Sequence, residues 1–205
     1  MEKLSPRLMK INHCPFVEQD LLPLPSRDEC LALMAAHGML PHIRDHSLLV
    51  TEVAIFLGQV LRDMGFDLHL PLIEAGALLH DLGKTPCLGT AENHAHWGSD
   101  VLYSLGYPHV AQIVKEHVHL DPAAADARPL REAEVVNYAD KRVLHTRVVT
   151  LKERFADLEE RYGRTAAALS RIAATQAKAL ALEQKIFAPL SLSPLDLINI
   201  NQLRR

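Results

Sequence analysis

The sequence predicts an all-α helical bundle, and two observations carry that reading. Apolar residues recur at three- and four-residue spacing through most of the chain, and no apolar/polar alternation lasts long enough to read as a strand. Helix starts and stops are also written into the chain as capping boxes, first-turn prolines and terminal glycines. A third observation puts something inside the bundle: imidazoles and carboxylates stand on faces that otherwise carry core residues.

The elements follow in order. The first 25 residues hold Pro6, Pro15, Pro23 and Pro25 and read as an extended arm. Ser26-Arg27-Asp28-Glu29 is a capping box that opens a helix, and Gly38 closes it. A second helix runs from Pro41 to about Leu61 with the apolar stripe Ile43, Leu49, Val50, Val53, Leu57 and Val60. Pro71 suits the first turn of a third, through about Leu82. A fourth spans Asn93 to Leu105, Gly106-Tyr107-Pro108 makes a turn, and a fifth reaches His117. Asp121 to Pro129 reads as a loop, and a sixth helix covers Leu130 to Arg147. Thr150-Leu151-Lys152-Glu153 is a second capping box. After Gly163 a long Ala-rich helix covers Thr165 to Phe187, and Ser193-Pro194-Leu195-Asp196 opens a short last one.

Bulk properties narrow the function classes. A chain of 205 residues suits one core, and 48% hydrophobic with 23% charged residues is ordinary for a globular protein. Composition shifts near residue 150, which divides the chain into an arm (1–25), a His-rich domain (26–149) and a helical extension packing on it (150–205). A net charge of −3 gives no pull toward a nucleic-acid polymer or an anionic membrane, so neither is expected as a partner. No apolar run reaches the roughly 20 residues that span a bilayer, and the N-terminus lacks a signal-peptide pattern. Cys14, Cys30 and Cys87 are few and scattered, which fits a cytoplasmic location and not a disulfide framework.

Twelve histidines are the skewed feature, and helix faces sort them. His46 shares a face with Ile43, Leu49, Val50 and Val53; His80 with Ile73, Gly76 and Ala77; His94 with Gly98, Val101 and Leu105; His117 with Val110, Ile113 and Val114. Asp81 adjoins the His80 face, and Asp140 lies with Val136 and Val143. His96 falls about 200° from His94 on a regular helix, so the two cannot both point inward; His94 is the expected ligand and His96 its substitute. An unpartnered buried polar group costs roughly 2–7 kcal/mol, so six of them on core faces ask for a common cation. Mixed imidazole and carboxylate donors suit Fe, Mn, Co, Ni or Zn, as one or two ions.

The run Ala77-Leu78-Leu79-His80-Asp81-Leu82-Gly83-Lys84 carries a family resemblance, together with Arg44-Asp45-His46-Ser47 upstream and Tyr138-Ala139-Asp140-Lys141 downstream. Over roughly residues 26 to 145 the chain resembles the HD-domain superfamily of metal-dependent phosphohydrolases, in its HDIG-type, six-ligand subset. The resemblance implies an all-helical bundle with a central metal site held by His46, His80, Asp81 and Asp140. His94 and His117 would complete a second ion, with Asp81 bridging. It implies cleavage of a phosphate ester or anhydride, of a nucleotide or another small phosphorylated metabolite, by a metal-activated hydroxide. Lys84, one turn after His80, is expected to serve catalysis and to reach a phosphate oxygen; Lys141 and Arg142, beside Asp140, are further substrate contacts. The same ligand set also serves mixed-valent di-iron oxygenases of the superfamily, and a non-catalytic nucleotide sensor is a third reading. The extension offers no catalytic signature; its stripe of Phe155, Leu158, Tyr162, Leu169 and Ile172 suits packing on the core, a lid, or a homodimer interface.

Overall fold

The computed structural model describes residues 23–121 and 129–200. The expected arm thus lies almost wholly outside the described residues, as does most of the 121–129 loop. The described elements are α1 (Arg27–Ala36), α2 (Pro41–Asp63), α3 (Leu70–Leu79), α4 (His94–Ser104), α5 (Pro108–Glu116), α6 (Glu132–Lys141), β1 (Val143–Leu144), β2 (Arg147–Val148), α7 (Leu151–Tyr162), α8 (Ala166–Phe187) and a closing 3-10 turn (Pro194–Asn199).

The local signals work as their chemistry requires. Ser26 Oγ accepts from the Glu29 N–H while the Glu29 carboxylate accepts from the Ser26 N–H, and Thr150 and Glu153 repeat the exchange at α7. Pro41 and Pro108 open α2 and α5, where a missing N–H costs nothing. Gly38 leaves α1 with φ +64°, a conformation open to glycine.

Three helices end before their expected limits. α3 stops at Leu79 instead of Leu82, so His80 is its C-cap and Asp81 lies beyond it. α5 stops at Glu116, leaving His117 as C-cap. α6 stops at Lys141 instead of Arg147, and the expected helical residues that follow form a small antiparallel hairpin pairing Val143 with Val148 and Leu144 with Arg147. The expectation of no strands is corrected there: two residues per strand are too few to show an alternation.

α2 is the spine. Its buried Val50, Val53 and Leu57 face α3 and α6, each contributing roughly 1.5–3 kcal/mol by leaving water. The buried face differs slightly from the expected stripe, since Leu49 and Val60 stay half-exposed while Ala54 and Leu61 go inside. α5 packs on α3, α4 and α6. α8 lies against α6 through Ala179, Leu182, Ile186 and Phe187, and α7 lies against α8. The Phe187 ring meets Tyr138 of α6 edge-on at 5.9 Å. Cys30 and Cys87 are free and buried. Among the described residues no helix is long and apolar enough to cross a membrane.

Candidate metal centre

Two imidazoles are aimed by the same device. The last carbonyls of a helix lack intrahelical partners. His80 caps α3 and donates from Nδ1 to the Ala77 carbonyl at 2.7 Å; His117 caps α5 and donates from Nδ1 to the Val114 carbonyl at 2.6 Å. A carbonyl only accepts, so Nδ1 carries the hydrogen and a neutral ring turns its Nε2 lone pair toward the centre of the bundle. The early ends of α3 and α5 are what free those carbonyls. His46 is fixed in like manner from outside its helix: its Nδ1 donates to the His145 carbonyl at 3.1 Å, in the turn of the hairpin. The short hairpin thus orients a ligand, and no sequence signal pointed to His145 in that role.

α6 holds the end of α5 in place. Asn137 Nδ2 donates to the Glu116 and His117 carbonyls, each at 2.9 Å, and Lys141 Nζ donates to the His117 carbonyl at 3.2 Å. Two glycines let α4 come close enough to deliver His94. A Cβ on Gly83 would stand 2.2 Å from the His94 carbonyl oxygen, and one on Gly98 would stand 3.1 Å from Val114 Cγ1. The glycine of His80-Asp81-Leu82-Gly83 is therefore a packing requirement of the site.

The six expected ligands converge. His46, His80 and Asp81 place one donor atom each within 4.8 Å of one another, as do Asp81, His94 and His117. Asp140 Oδ1 joins the first group, 3.1 Å from His46 Nε2 and 3.7 Å from His80 Nε2. Asp81 serves both groups with different oxygens: Oδ2 lies 3.3 Å from His80 Nε2, and Oδ1 lies 3.5 Å from His94 Nε2 and 3.6 Å from His117 Nε2. His94 and His117 face each other Nε2 to Nε2 at 3.2 Å. His96 is exposed and takes no part in this convergence, whereas His94 does.

These residues fit a bound cation. His80 Nε2 is shut off from solvent and has no hydrogen-bond partner, although it points at two carboxylates. A buried imidazole nitrogen without a partner is what a coordination bond would satisfy. The electrostatics agree. Burial pushes the Asp81 carboxyl up, but His80, His117 and Lys84 together hold it well below the usual range. Burial likewise opposes ionisation of Asp140, and the His46 hydrogen bond, with the electrostatic influence of the neighbouring His80 and His46 rings, outweighs it. Burial lowers His94 to about 4, assisted by His117, so this ring is neutral and ready as a donor.

The expected substrate contacts separate. Lys84 stands at the rim, 43% exposed, with Nζ on Asp81 Oδ2 at 2.8 Å. Lys141 lines the cavity over the centre, but its Nζ is taken by the His117 carbonyl, the Asn137 carbonyl and Asn137 Oδ1, and burial lowers it to about 8. An ammonium has three donors, so Lys141 has none left for a substrate; its observed part is to cap α5. Arg142 corrects the expectation outright. It is fully buried and donates to the Val149 and Pro194 carbonyls, the Tyr138 hydroxyl and Glu183, all outside the cavity. The cavity holds about 290 Å³; Asp81, His94, His117 and Asp140 line it on one side, and Arg154, Phe155, Leu158 and Tyr162 of α7 on another.

Comparison with known proteins gives a consistent picture. The chain is 26% identical over 124 residues to an uncharacterized protein of Methanocaldococcus jannaschii, covering 55% of this chain and 72% of that one. It is 32% identical over 96 residues to a tRNA (cytidine(56)-2'-O)-methyltransferase of Thermoplasma volcanium, covering 46% of this chain and 26% of the relative. A protein of the same name from Picrophilus torridus is 26% identical over 157 residues, covering 70% of this chain and 44% of the relative. The chain therefore spans less than half of either methyltransferase-named relative. No solved structure gives a significant match. The HD domain family model matches residues 43–143, which begin three residues before His46 and end three after Asp140, so all six converging side chains lie inside it. The chain belongs to the HD-domain superfamily.

Proposed function

We propose that the protein is a hydrolase that cleaves a phosphate ester or anhydride of a nucleotide or similar small phosphorylated metabolite, using one or two divalent transition ions. The observation that carries this reading is the division of Asp81 between two donor groups, one oxygen toward each, with Lys84 on its outer edge. His46, His80, Asp81 and Asp140 would hold one ion; Asp81, His94 and His117 would hold the other. Divalent ions so held supply an activated water at neutral pH and offset the charge that develops on a phosphoryl group. The protein's own groups do the rest. The carbonyls of Ala77, Val114 and His145 fix the three imidazoles in the donor orientation before anything binds. Lys84 keeps its proton, because Asp81 more than offsets the burial that disfavours the charge, and its ammonium stands ready for a phosphoryl oxygen. The α7 wall restricts access of bulk water to the cavity.

A net charge of −3 favours a small substrate over a nucleic-acid polymer. The methyltransferase relatives share only the matched segment with this chain, and their named activity is not part of the proposal. The test is elemental analysis of protein purified without chelators, followed on the same sample by a phosphatase, phosphodiesterase and nucleotidase panel. Metal-dependent release of phosphate or of a nucleotide is expected, with turnover lost in Asp81→Ala. Turnover retained by a metal-free Asp81→Ala protein would overturn the reading. The same donors suit a di-iron pair, so oxygen consumption with a half-reduced di-iron resonance signal would replace it with the oxygenase chemistry. Tight nucleotide binding without turnover would replace it with a sensor.

A further inference from the structure

Three cations line the cavity over the metal centre, and they differ in what they already hold. Lys84 is bound to Asp81, and Lys141 has spent its three donors on α5 and α6. Arg154, on α7, is 16% exposed; Nη1 stands 3.5 Å from Asp157, while Nε is closed off from solvent without any acceptor. A buried N–H left without an acceptor costs roughly 1–3 kcal/mol. Here it is tolerated in a residue that lines the same cavity as Asp81, His94, His117 and Asp140. Its charge is also felt at Lys84 and Lys141, so the positive groups share one space. An anion with several oxygens is the ligand such a wall suits, and a guanidinium presents paired donors to phosphate.

The same helix supplies an apolar counterpart. Phe155, Leu158 and Tyr162, with Thr175 of α8, line the cavity beside the ligands and also a second one of about 260 Å³ between α7 and α8. The cleft between the two helices, which Ile172 completes, therefore adjoins the space above the ligands across these four shared side chains. Tyr162 stands at the shared rim with 55% of its surface exposed, and the Arg161 guanidinium lies over its ring at 5.2 Å, which leaves one ring face for a guest. Aromatic faces at the mouth of a cleft favour a planar guest. His119 and Arg171 also line the cleft and offer hydrogen-bonding groups for the edge of a heterocycle.

We propose that α7 and α8 form the substrate-selecting half of the site: Arg154 takes a phosphate oxygen of a nucleoside phosphate, and the cleft behind Tyr162 seats its base. This rests on the phosphohydrolase reading and adds what that reading lacks, the selecting residues and the shape of the substrate. No local signal in the chain hints at it, because Arg154 lies in a charged run that looks like a solvated helix face.

The test uses the full-length, metal-loaded protein and three probes: inorganic phosphate, the hydrolysis-resistant phosphonate analogue of AMP, and the matching analogue of ribose 5-phosphate. Binding is measured by calorimetry for the wild type, Arg154→Ala, Arg154→Lys and Tyr162→Ala, with the metal content of each sample determined. The AMP analogue is expected to bind at least about tenfold tighter than the ribose analogue. Arg154→Ala should weaken all three probes by about 10- to 100-fold, and Arg154→Lys should recover part of the loss. Tyr162→Ala should weaken the AMP analogue and leave phosphate unchanged. Unchanged phosphate binding in Arg154→Ala, or equal affinity for the AMP and ribose analogues, would overturn the inference. A wild type that takes up no metal would instead overturn the phosphohydrolase reading, so the two failures are distinct.

Discussion

Arg142, the C-cap of α6, donates to the Glu183 carboxylate of α8 at 3.3 Å, across 41 positions of sequence. The Tyr138 hydroxyl donates to the same Glu183 oxygen at 2.6 Å, and Arg142 also reaches the Pro194 carbonyl at 2.8 Å. Lys185, two residues on, adds a 2.7 Å ion pair to Glu134. α6 thus carries a metal ligand, Asp140, toward the centre and the anchors of the last helices on its other side. The position of the α7 wall over the cavity depends on that second side.

Removing one partner of a buried pair is expected to be costly, about 3–5 kcal/mol, because the remaining group keeps its burial and loses its compensation. Arg142→Ala should lower the melting temperature accordingly and expose α8 to limited proteolysis. Arg142→Lys should not restore it, since a single ammonium cannot span the Val149 and Pro194 carbonyls and Glu183 together. Equal stability of Arg142→Ala and the wild type would contradict the anchoring role.

Gly83→Ala tests the approach of α4. The added methyl would meet the His94 carbonyl oxygen at 2.2 Å, a backbone atom that cannot rotate away. A loss of about 1–3 kcal/mol is expected. His94 should be displaced with α4, so bound metal should fall toward the stoichiometry of one ion. Calorimetric melting and elemental analysis of the same sample check both parts; a Gly83→Ala protein with full metal content would show that the close approach is not needed.

His145 separates backbone from side chain. Its exposed imidazole is not used by the site, whereas its carbonyl holds His46, and its φ is +54°. His145→Gly should keep metal affinity. His145→Val should lose about 10- to 100-fold, because a β-branched residue resists this φ and would move the carbonyl away from His46. Metal titration of both variants decides the point, and equal affinities would remove His145 from the account.

Metal removal should destabilise the native state, since binding adds about 2.7 kcal/mol at a free ion concentration one hundred times Kd. For a chain of this length that corresponds to a rise of roughly 5–11 °C in Tm. Differential scanning with chelator and with added Mn²⁺ or Co²⁺ measures it. The rise should vanish in His80→Ala, which removes the buried nitrogen that lacks a partner.

The parts of this architecture that local chemistry dictates could be read from the chain. Ser26, Thr150 and Ser193 with their acids three residues on mark three starts correctly, and Pro41 and Pro108 mark two more. Helix faces sorted His46, His80, His94 and His117 from the exposed His96, because a polar residue among core neighbours stands out. What stayed hidden depends on partners distant in sequence. Arg142 looked like a cation beside Asp140, and nothing near it announces Glu183. Lys141 looked free, and its acceptors lie partly at the end of α5. The hairpin at Val143–Val148 has two residues per strand and a histidine at positive φ where glycine or asparagine would have signalled a turn. Arg154 sits in a helix that is charged on most sides, so its place in the lining of the cavity beside Asp81 shows only once α7 packs on α8.

The most direct measurement is an anomalous difference map from crystals grown with Mn²⁺ and collected near the manganese edge. The account predicts density between His46, His80, Asp81 and Asp140, and further density between Asp81, His94 and His117, with Lys84 released from the Asp81 oxygen it now holds. A map with no peak among these six side chains, with Asp81 still bound to Lys84, would contradict it.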